Sequence, residues 1–383
     1  MYRLLFSIVL IAFITSLGSA QDLGSSNKLF GKDAPKKDAP RKSVSKNSNA
    51  RKTVTRKVKK QASPDRTAAA KISVTKKAPV KASSAKLSPE QTGKLKADAA
   101  DALKAGDLSA AETKYREVVK NTPEDTGAKL ALSGILATPV PVMDLADRYE
   151  EAMDLAKSVS EKEPSNAAAF ERLGVAREML GLVGPETENA YRTAIRLAPD
   201  KAVNYAYLAR LLRRNGNTAG AAEMDASAAT RARGAAQIAD IAAILQSEQR
   251  YPAAERLLTA AVQSEPKNAR VLRFLGISRV ANGEVADGIA NLKASLAADM
   301  SNFDTYSSLA SAYLRISDLA NAENILLRGS RFAHNYEKPV LARQLEQLGD
   351  AYTKAGKGDE ARRSYKLALT YQPERETVLA KLK

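Results

Sequence analysis

The sequence predicts an all-α solenoid: a stack of about eight helix-turn-helix units, preceded by a disordered basic segment. Four columns of residues recur every 34 positions, and they alternate in size as large apolar, small, small and large apolar. The columns are Ile241, Leu275 and Leu309; Ala242, Gly276 and Ala310; Ala254, Gly288 and Ala322; and Leu258, Leu292 and Leu326. Aromatic residues make up only 5% of the chain and Trp is absent, so the core must rely on Ala and Leu. This composition favours helices over a β-sandwich, which uses more β-branched and aromatic residues.

A unit of this length accommodates two antiparallel helices, and such a pair is too small to bury its apolar face alone. Neighbouring units therefore stack and share one continuous core. We expect the small residues where the two helices of a unit come closest, because Ala or Gly lets the backbones approach. The large residues then fill the space between units.

The first 20 residues have the features of an export signal. A basic start at Arg3 precedes an apolar run, Leu4–Leu17, and the small residues Gly18 and Ala20 stand at the positions that signal cleavage requires. The run of 14 residues is short for a membrane span, which needs about 20. We therefore predict export to the periplasm or the secreted space, with cleavage after Ala20. A retained membrane anchor formed by residues 4–17 is the alternative.

Residues 21–91 form a low-complexity segment of Lys, Ala, Ser, Pro and Thr. They contain 19 Lys or Arg against 5 Asp or Glu, whereas residues 92–383 are nearly neutral, so the net charge of +17 resides mainly here. Such a segment cannot bury enough apolar surface to offset its ordering entropy, and we expect it to be disordered. It is either a solvated spacer or a tether to an anionic membrane surface or envelope polymer.

The solenoid is predicted to occupy residues 92–375. In its first unit, Gly106 marks the turn between the helices and Pro123 ends the second helix. Pro164 ends the next unit 41 residues later, which is seven more than the period. We place the extra residues in Ala137–Met143, where two prolines forbid a continuous helix. An insertion of this kind is either a binding loop or a tolerated surface loop.

The remaining units follow from the same pattern. The third and fourth close at Pro199 and Gly234, and later units lie at 235–268, 269–302, 303–336 and, after a short slip, 342–375. The charged residues 376–383 are predicted to form a capping helix over the exposed end of the stack.

The last full unit carries the clearest family pattern, at Leu348, Gly349, Tyr352, Gly356, Ala361, Tyr365, Ala368 and Pro373. Over roughly residues 92–375 the sequence resembles the tetratricopeptide repeat family, although Met300 and His334 occupy closing positions that are usually Pro. The resemblance implies a right-handed superhelix that binds peptides or proteins in a concave groove lined mainly by first helices. Some members hold a C-terminal carboxylate with Lys and Asn side chains, and the matching positions here lack that Asn set.

Five arginines are the candidate ligand-groove residues, because they fall on the groove side of first helices: Arg210, Arg213, Arg214, Arg270 and Arg273. The guanidinium fork binds carboxylates through two hydrogen bonds, so the cluster suits an acidic peptide or an anionic glycan. The alternative is a solvated helix face, since Arg is also a good helix former.

No catalytic, cofactor or metal site is predicted. Cys is absent, and His334 is the only histidine, so a Ser–His–Asp triad or a His-based metal site has little to build on. Gly356–Gly358 lacks the spacing of a phosphate-binding loop and is interpreted as an interhelical turn. Abundant carboxylates show no spacing that singles out an acid–base pair.

These observations predict a non-enzymatic scaffold of the cell envelope or secreted space that binds a protein or peptide partner in the solenoid groove. The alternative is binding of nucleic acid or another anionic polymer through residues 21–91. Lysines there would neutralise phosphates and make binding steeply salt-dependent. However, the segment has almost no aromatic side chains for base stacking, and export removes the protein from the genome.

Overall fold

The structure of the protein is a computed structural model and describes residues 87–383. All regular secondary structure in this range is helical, and no strand occurs within it, which confirms the predicted fold class. The helices are α1 (Pro89–Lys104), α2 (Leu108–Asn121), α3 (Thr126–Leu136), α4 (Leu145–Lys162), α5 (Ala167–Met179), α6 (Pro185–Leu197), α7 (Ala202–Arg214), α8 (Thr218–Arg231), α9 (Gly234–Ser247), α10 (Tyr251–Ser264), α11 (Ala269–Asn282), α12 (Val285–Ala298), α13 (Phe303–Arg315), α14 (Leu319–Gly329), a 3-10 turn (Ser330–Phe332), α15 (Lys338–Lys354), α16 (Gly358–Tyr371) and α17 (Glu376–Lys381).

The helices pair in chain order into eight units, α1–α2 through α15–α16, followed by the short helix α17. The first helix begins at Pro89, three residues before the expected start of the solenoid. Ser88 caps it: the Ser88 hydroxyl accepts from the backbone N–H of Gln91, and the Gln91 side chain accepts from the backbone N–H of Ser88. This reciprocal capping box satisfies backbone donors that a helix start leaves free, and so extends the helix backwards. In α17, Val378 is fully buried against the stack.

The small residues of the repeat columns lie where the two helices of a unit come closest. In unit 6, a β-carbon on Gly276 would lie 2.9 Å from the carbonyl oxygen of Gly288. A β-carbon on Gly288 would lie 2.8 Å from the carbonyl oxygen of Gly276. Both glycines are therefore required by the contact between α11 and α12. The large column residue that follows, Leu292, is fully buried.

The insertion in the second unit forms the loop between α3 and α4, at residues 137–144. Pro139 and Pro141 lie in this loop, where neither interrupts a helix. Val140 is buried and anchors the loop, whereas Met143 projects fully into solvent. The helix that follows the loop, α4, is 18 residues long.

The curvature of the stack follows from which helices touch. First helices of neighbouring units contact each other along the array, from α3 and α5 to α13 and α15. Second helices pack mainly on the first helices of their own and the next unit, and only sparsely on one another. Because the first helices lie closer together than the second helices, the stack bends with the first helices on its concave side.

Within residues 87–383, none of the helices is both long and apolar enough to cross a membrane. The predicted signal at residues 1–20 lies outside the described residues, as does most of the predicted basic segment.

Candidate functional site: the concave face of the first helices

The concave face holds a ladder of polar contacts that connect one unit to the next. Its most buried member is Glu178, at the end of α5, whose side chain is inaccessible to solvent. Arg210 of α7 donates two hydrogen bonds to this carboxylate, at 2.9 and 2.8 Å, and Arg214 donates a third at 3.0 Å. The hydroxyl of Tyr191 donates a fourth, at 2.8 Å. A single carboxylate thus joins units 3 and 4.

The charges of this cluster offset the cost of burying it. Burial alone would raise the pKa of Glu178, but the charge of Arg210 and the hydrogen bonds from Arg210, Tyr191 and Arg214 together outweigh burial and lower the pKa. Burial alone would likewise lower the pKa of Arg210, but the charge of Glu178 and the hydrogen bonds to its carboxylate together raise the pKa instead. Burial, followed by the charge of Glu178, raises the pKa of Tyr191 well above its usual range. The site is therefore a stable ion pair in which Tyr191 stays protonated.

A second cluster joins units 4 and 5. The guanidinium of Arg213 pairs with Glu248, which follows α9, and also donates to Asp225 of α8 at 2.7 Å. Arg250 donates to the same oxygen of Asp225 at 2.6 Å. Arg213 thus bridges two elements through two carboxylates and is 19% exposed.

The two candidate arginines of α11 make separate ion pairs in opposite directions. Arg270 lies 2.6 Å from Asp240 of the preceding unit, and Arg273 lies 2.9 Å from Asp304 of the following unit. Both guanidinium groups lie over the ring of Phe274, at 5.5 and 4.7 Å from its centre. Burial is the main reason that the pKa of Arg273 is lowered, with the charge of Asp304 acting against it. Arg270 is the more accessible of the two, with 45% of its side chain exposed.

The structure thus places all five candidate arginines on first helices and pairs each with a carboxylate of the same chain. Sequence reasoning missed these partners, above all Glu178. A signal was available in the spacing: Arg210 and Arg214 follow Glu178 by 32 and 36 residues, close to one repeat period. In a solenoid, residues one period apart on first helices face each other.

On α9, the concave face carries short side chains. The positions that match Arg210 and Arg214 in the register hold Ala243, which is partly exposed, and Ser247, which is exposed. On α13 the matching positions hold Ser311 and Arg315, and Ser307 lies one turn before Ser311. Ser307 accepts through its carbonyl, and Ser311 through its hydroxyl, hydrogen bonds from the Gln344 amide of α15, at 2.8 and 2.9 Å. At the positions of Ala243 and Ser247, α9 is therefore less crowded than α7.

The other residues considered from the sequence lie away from this face. His334 lies in the connection between α14 and α15, with its Nδ1 atom 3.3 Å from a carboxylate oxygen of Asp107. Gly356 has a positive φ of 71° and forms the turn between α15 and α16. Residues 87–383 contain no group of three or more His, Asp or Glu side chains placed to hold a metal ion.

Comparisons with known proteins concern the fold. A tetratricopeptide repeat family model matches residues 240–302, which is most of unit 5 and all of unit 6. Yeast Tom70 is similar in structure, with a TM-score of 0.51 at 13% identity over 78% of this chain and 64% of that chain. Human IFIT1, solved as a dimer with m7Gppp-AAAA, gives a TM-score of 0.47 at 16% identity over 74% and 70%.

A chain of the APC/C hetero-tetramer Cut9-Hcn1 gives a TM-score of 0.44 at 11% identity, covering 77% of this chain. This chain spans only 56% of that one. No curated protein matches the sequence. The family match places tetratricopeptide repeat sequence in residues 240–302, and the Tom70 likeness together with the helix pairing shows an α-solenoid fold in the described part of the chain.

Proposed function

We propose that this tetratricopeptide-repeat solenoid is a non-enzymatic, exported scaffold that holds a protein or peptide partner in its concave groove. The observation that carries the proposal is the approach of consecutive first helices, which creates an inner face along the array. A segment of a partner chain is the occupant that such a long, shallow surface fits.

The five candidate arginines add a chemical preference to this groove. Arg214 and Arg270 keep 44% and 45% of their side chains exposed although each is paired. A partner carboxylate can therefore share these guanidinium groups without displacing their own carboxylates, since a guanidinium has five donors. An acidic residue in the partner is expected to lie near α7 or α11.

Selection of peptides from a displayed random library, with the full chain as bait, tests the groove. Ala243→Arg would place a long charged side chain on the floor of α9, and Ala260→Arg would place the same side chain on the exposed face of α10. We expect peptides that bind the native chain to lose more than about tenfold in affinity with Ala243→Arg, which is about 1.4 kcal/mol. They should keep their affinity with Ala260→Arg. Equal effects of the two substitutions, or no enriched peptide, would contradict the proposal.

The alternative function is binding of nucleic acid or another anionic polymer through residues 21–91, which the excess of 19 basic over 5 acidic residues supports. A peptide of residues 21–91 should then bind duplex DNA with an affinity that falls steeply with salt. If the segment acts as a membrane tether instead, the peptide should bind vesicles that contain phosphatidylserine. It should then bind DNA no more tightly than it binds heparin. If the peptide binds neither DNA nor vesicles at low salt, only the interpretation of residues 21–91 as a solvated spacer remains.

A further inference from the structure

The connection between α14 and α15 touches the opposite end of the described chain. Residues 333–337, here called the clasp loop, follow the 3-10 turn and precede α15. The hydroxyl of Tyr336 donates to Glu112 of α2 at 2.8 Å, across 224 residues of sequence. It accepts from Arg148 of α4 at 3.1 Å, and the Arg148 guanidinium lies 5.3 Å from the centre of the Tyr336 ring. His334 lies 3.3 Å from Asp107.

The topology explains what this contact joins. Each helix crosses the ribbon of stacked units once, so turns within units lie on one edge and connections between units lie on the other. The clasp loop is a connection between units. Asp107 lies in a turn within a unit, and Glu112 and Arg148 lie near the starts of second helices on that same edge. The contact therefore joins opposite edges of the ribbon, which requires that the stack has gone once around its axis.

The docking surface exists without the clasp loop. Glu112 accepts from Arg116 at 2.9 Å and from Arg148 at 2.7 Å, and these three residues belong to units 1 and 2. Departure of Tyr336 would leave this carboxylate paired with two arginines. Opening thus exposes no unpaired buried charge, which would otherwise oppose it.

The loop is also shaped before it docks. Backbone N–H groups of Glu337 and Lys338 donate to the carbonyl oxygen of His334, at 3.0 and 3.1 Å. The ring of Phe332 stacks on Tyr306 of unit 7, with ring centres 5.5 Å apart. One end of the loop is thus fixed on unit 7, and its tip reaches units 1 and 2 through a few polar contacts. Contacts so few separate more readily than the buried apolar packing between neighbouring units.

We propose that the clasp loop closes the superhelical turn edge to edge and controls sideways entry into the concave groove. When Tyr336 is seated between Glu112 and Arg148, a partner segment enters only along the axis; when it leaves, the turn opens and the groove accepts a segment from the side. The gating role rests on the groove proposed above. The closure of the superhelical turn does not depend on that proposal. Closure and gating are therefore tested by separate measurements.

Spin labels report the closure directly. The chain has no cysteine, so Lys120→Cys and Asn335→Cys accept labels at those two sites alone. We expect one narrow, short distance between them by double electron–electron resonance. Tyr336→Ala should replace it with a broad, longer distribution, and Tyr336→Phe, which loses only the hydroxyl, should populate both. Tyr251→Phe is the matched control on α10 and should change nothing. A short distance that persists in Tyr336→Ala, with helical circular dichroism intact, would overturn the clasp.

Chemical modification reports entry into the groove. Ala243→Cys places a single thiol on the floor of α9, and a maleimide attached to a folded carrier protein reaches it only through an open side. If the open form is a minor state of about one part in ten, Tyr336→Ala should raise this rate about tenfold. The rate for N-ethylmaleimide should stay the same. The gating role would be overturned if Tyr336→Ala lengthened the spin-label distance but left the modification rate by the carrier-bound maleimide unchanged. This outcome does not depend on the result of the peptide selection.

Discussion

Gly349 of α15 faces the ring of Tyr365 of α16 so closely that a β-carbon on residue 349 would lie 2.4 Å from ring carbon Cε1. Other units have an equivalent pair of positions, which different residues occupy. In unit 5 they hold Ala242 and Leu258, both fully buried. The small residue and the large one opposite it are therefore a matched pair: glycine accompanies the tyrosine ring and alanine accompanies leucine in these two units.

Gly349→Ala should destabilise the protein. Alanine is a better helix former by about 1 kcal/mol, but the added carbon has to displace a packed aromatic ring, which costs about 1–3 kcal/mol. We expect urea denaturation to show a net loss of stability. Adding Tyr365→Leu should remove the overlap and recover part of the loss, because it recreates the pair found at Ala242 and Leu258. If Gly349→Ala alone were more stable than the native chain, the ring of Tyr365 would have to move aside at little cost, which would contradict the prediction.

Glu178→Gln should be far more damaging than the same change at an exposed ion pair. It removes the charge that pairs with Arg210 and Arg214 in a site without solvent access, and breaking a buried pair costs about 3–5 kcal/mol. Glu186 pairs with Arg177 at 3.4 Å and is 73% exposed, so Glu186→Gln should cost less than about 1 kcal/mol. Denaturant titration of both variants checks the contrast. Comparable losses would mean that Glu178 adds little beyond its packing.

Acid should destabilise the solenoid partly through Glu178. Its pKa in the folded state is lowered, because the charge of Arg210 and the hydrogen bonds that the carboxylate accepts together outweigh the effect of burial. Its stabilisation is therefore complete above the unfolded pKa of about 4.3, and is lost as the pH falls through the lower folded value. Below about pH 5, we expect the free energy of unfolding of the native protein to fall more steeply with acidification than that of Glu178→Gln. Parallel curves would assign the acid sensitivity to other carboxylates.

Export with cleavage after Ala20 predicts a mature N-terminus at Gln21. N-terminal sequencing of the protein from an exported fraction of its native host is the measurement. An intact Met1 in the membrane fraction would identify residues 4–17 as an anchor and make residues 21–91 a spacer. An intact, soluble protein inside the cell would contradict export and favour the nucleic-acid alternative.

The pairing of helices could be predicted from the sequence because it depends on the size of single residues at fixed spacing. Gly276 and Gly288 mark a close approach whatever surrounds them, so their columns predict the contact between α11 and α12. The loop in the second unit could be predicted for a similar reason. Proline at 139 or 141 would remove a backbone hydrogen bond of a helix and clash with its preceding turn, and both effects are local.

The contacts of the groove side chains depend on curvature, and no single unit contains that information. The distance between α5 and α7 decides whether Arg210 extends into solvent or pairs with Glu178. The clasp contact is still less visible, because Tyr336 meets Glu112 only after the stack has gone around its axis, and the rise per unit decides where the edges meet. A repeat register specifies which residues are neighbours in adjacent units, but not which units meet again farther along.

The contact between Glu178 and Arg210 also restricts how the gene can change in length. Arrays of this kind grow when a unit is duplicated beside itself. The side chains of the copy must then fit those of the original unit at the junction between them. Glu178 and Arg213 occupy the same register position in units 3 and 4, so a duplicated unit 4 would set the Arg210 of the copy against the Arg213 of the original. Two like charges would replace a buried ion pair at the new junction. Unit 4 therefore cannot be copied in tandem without a second, compensating mutation.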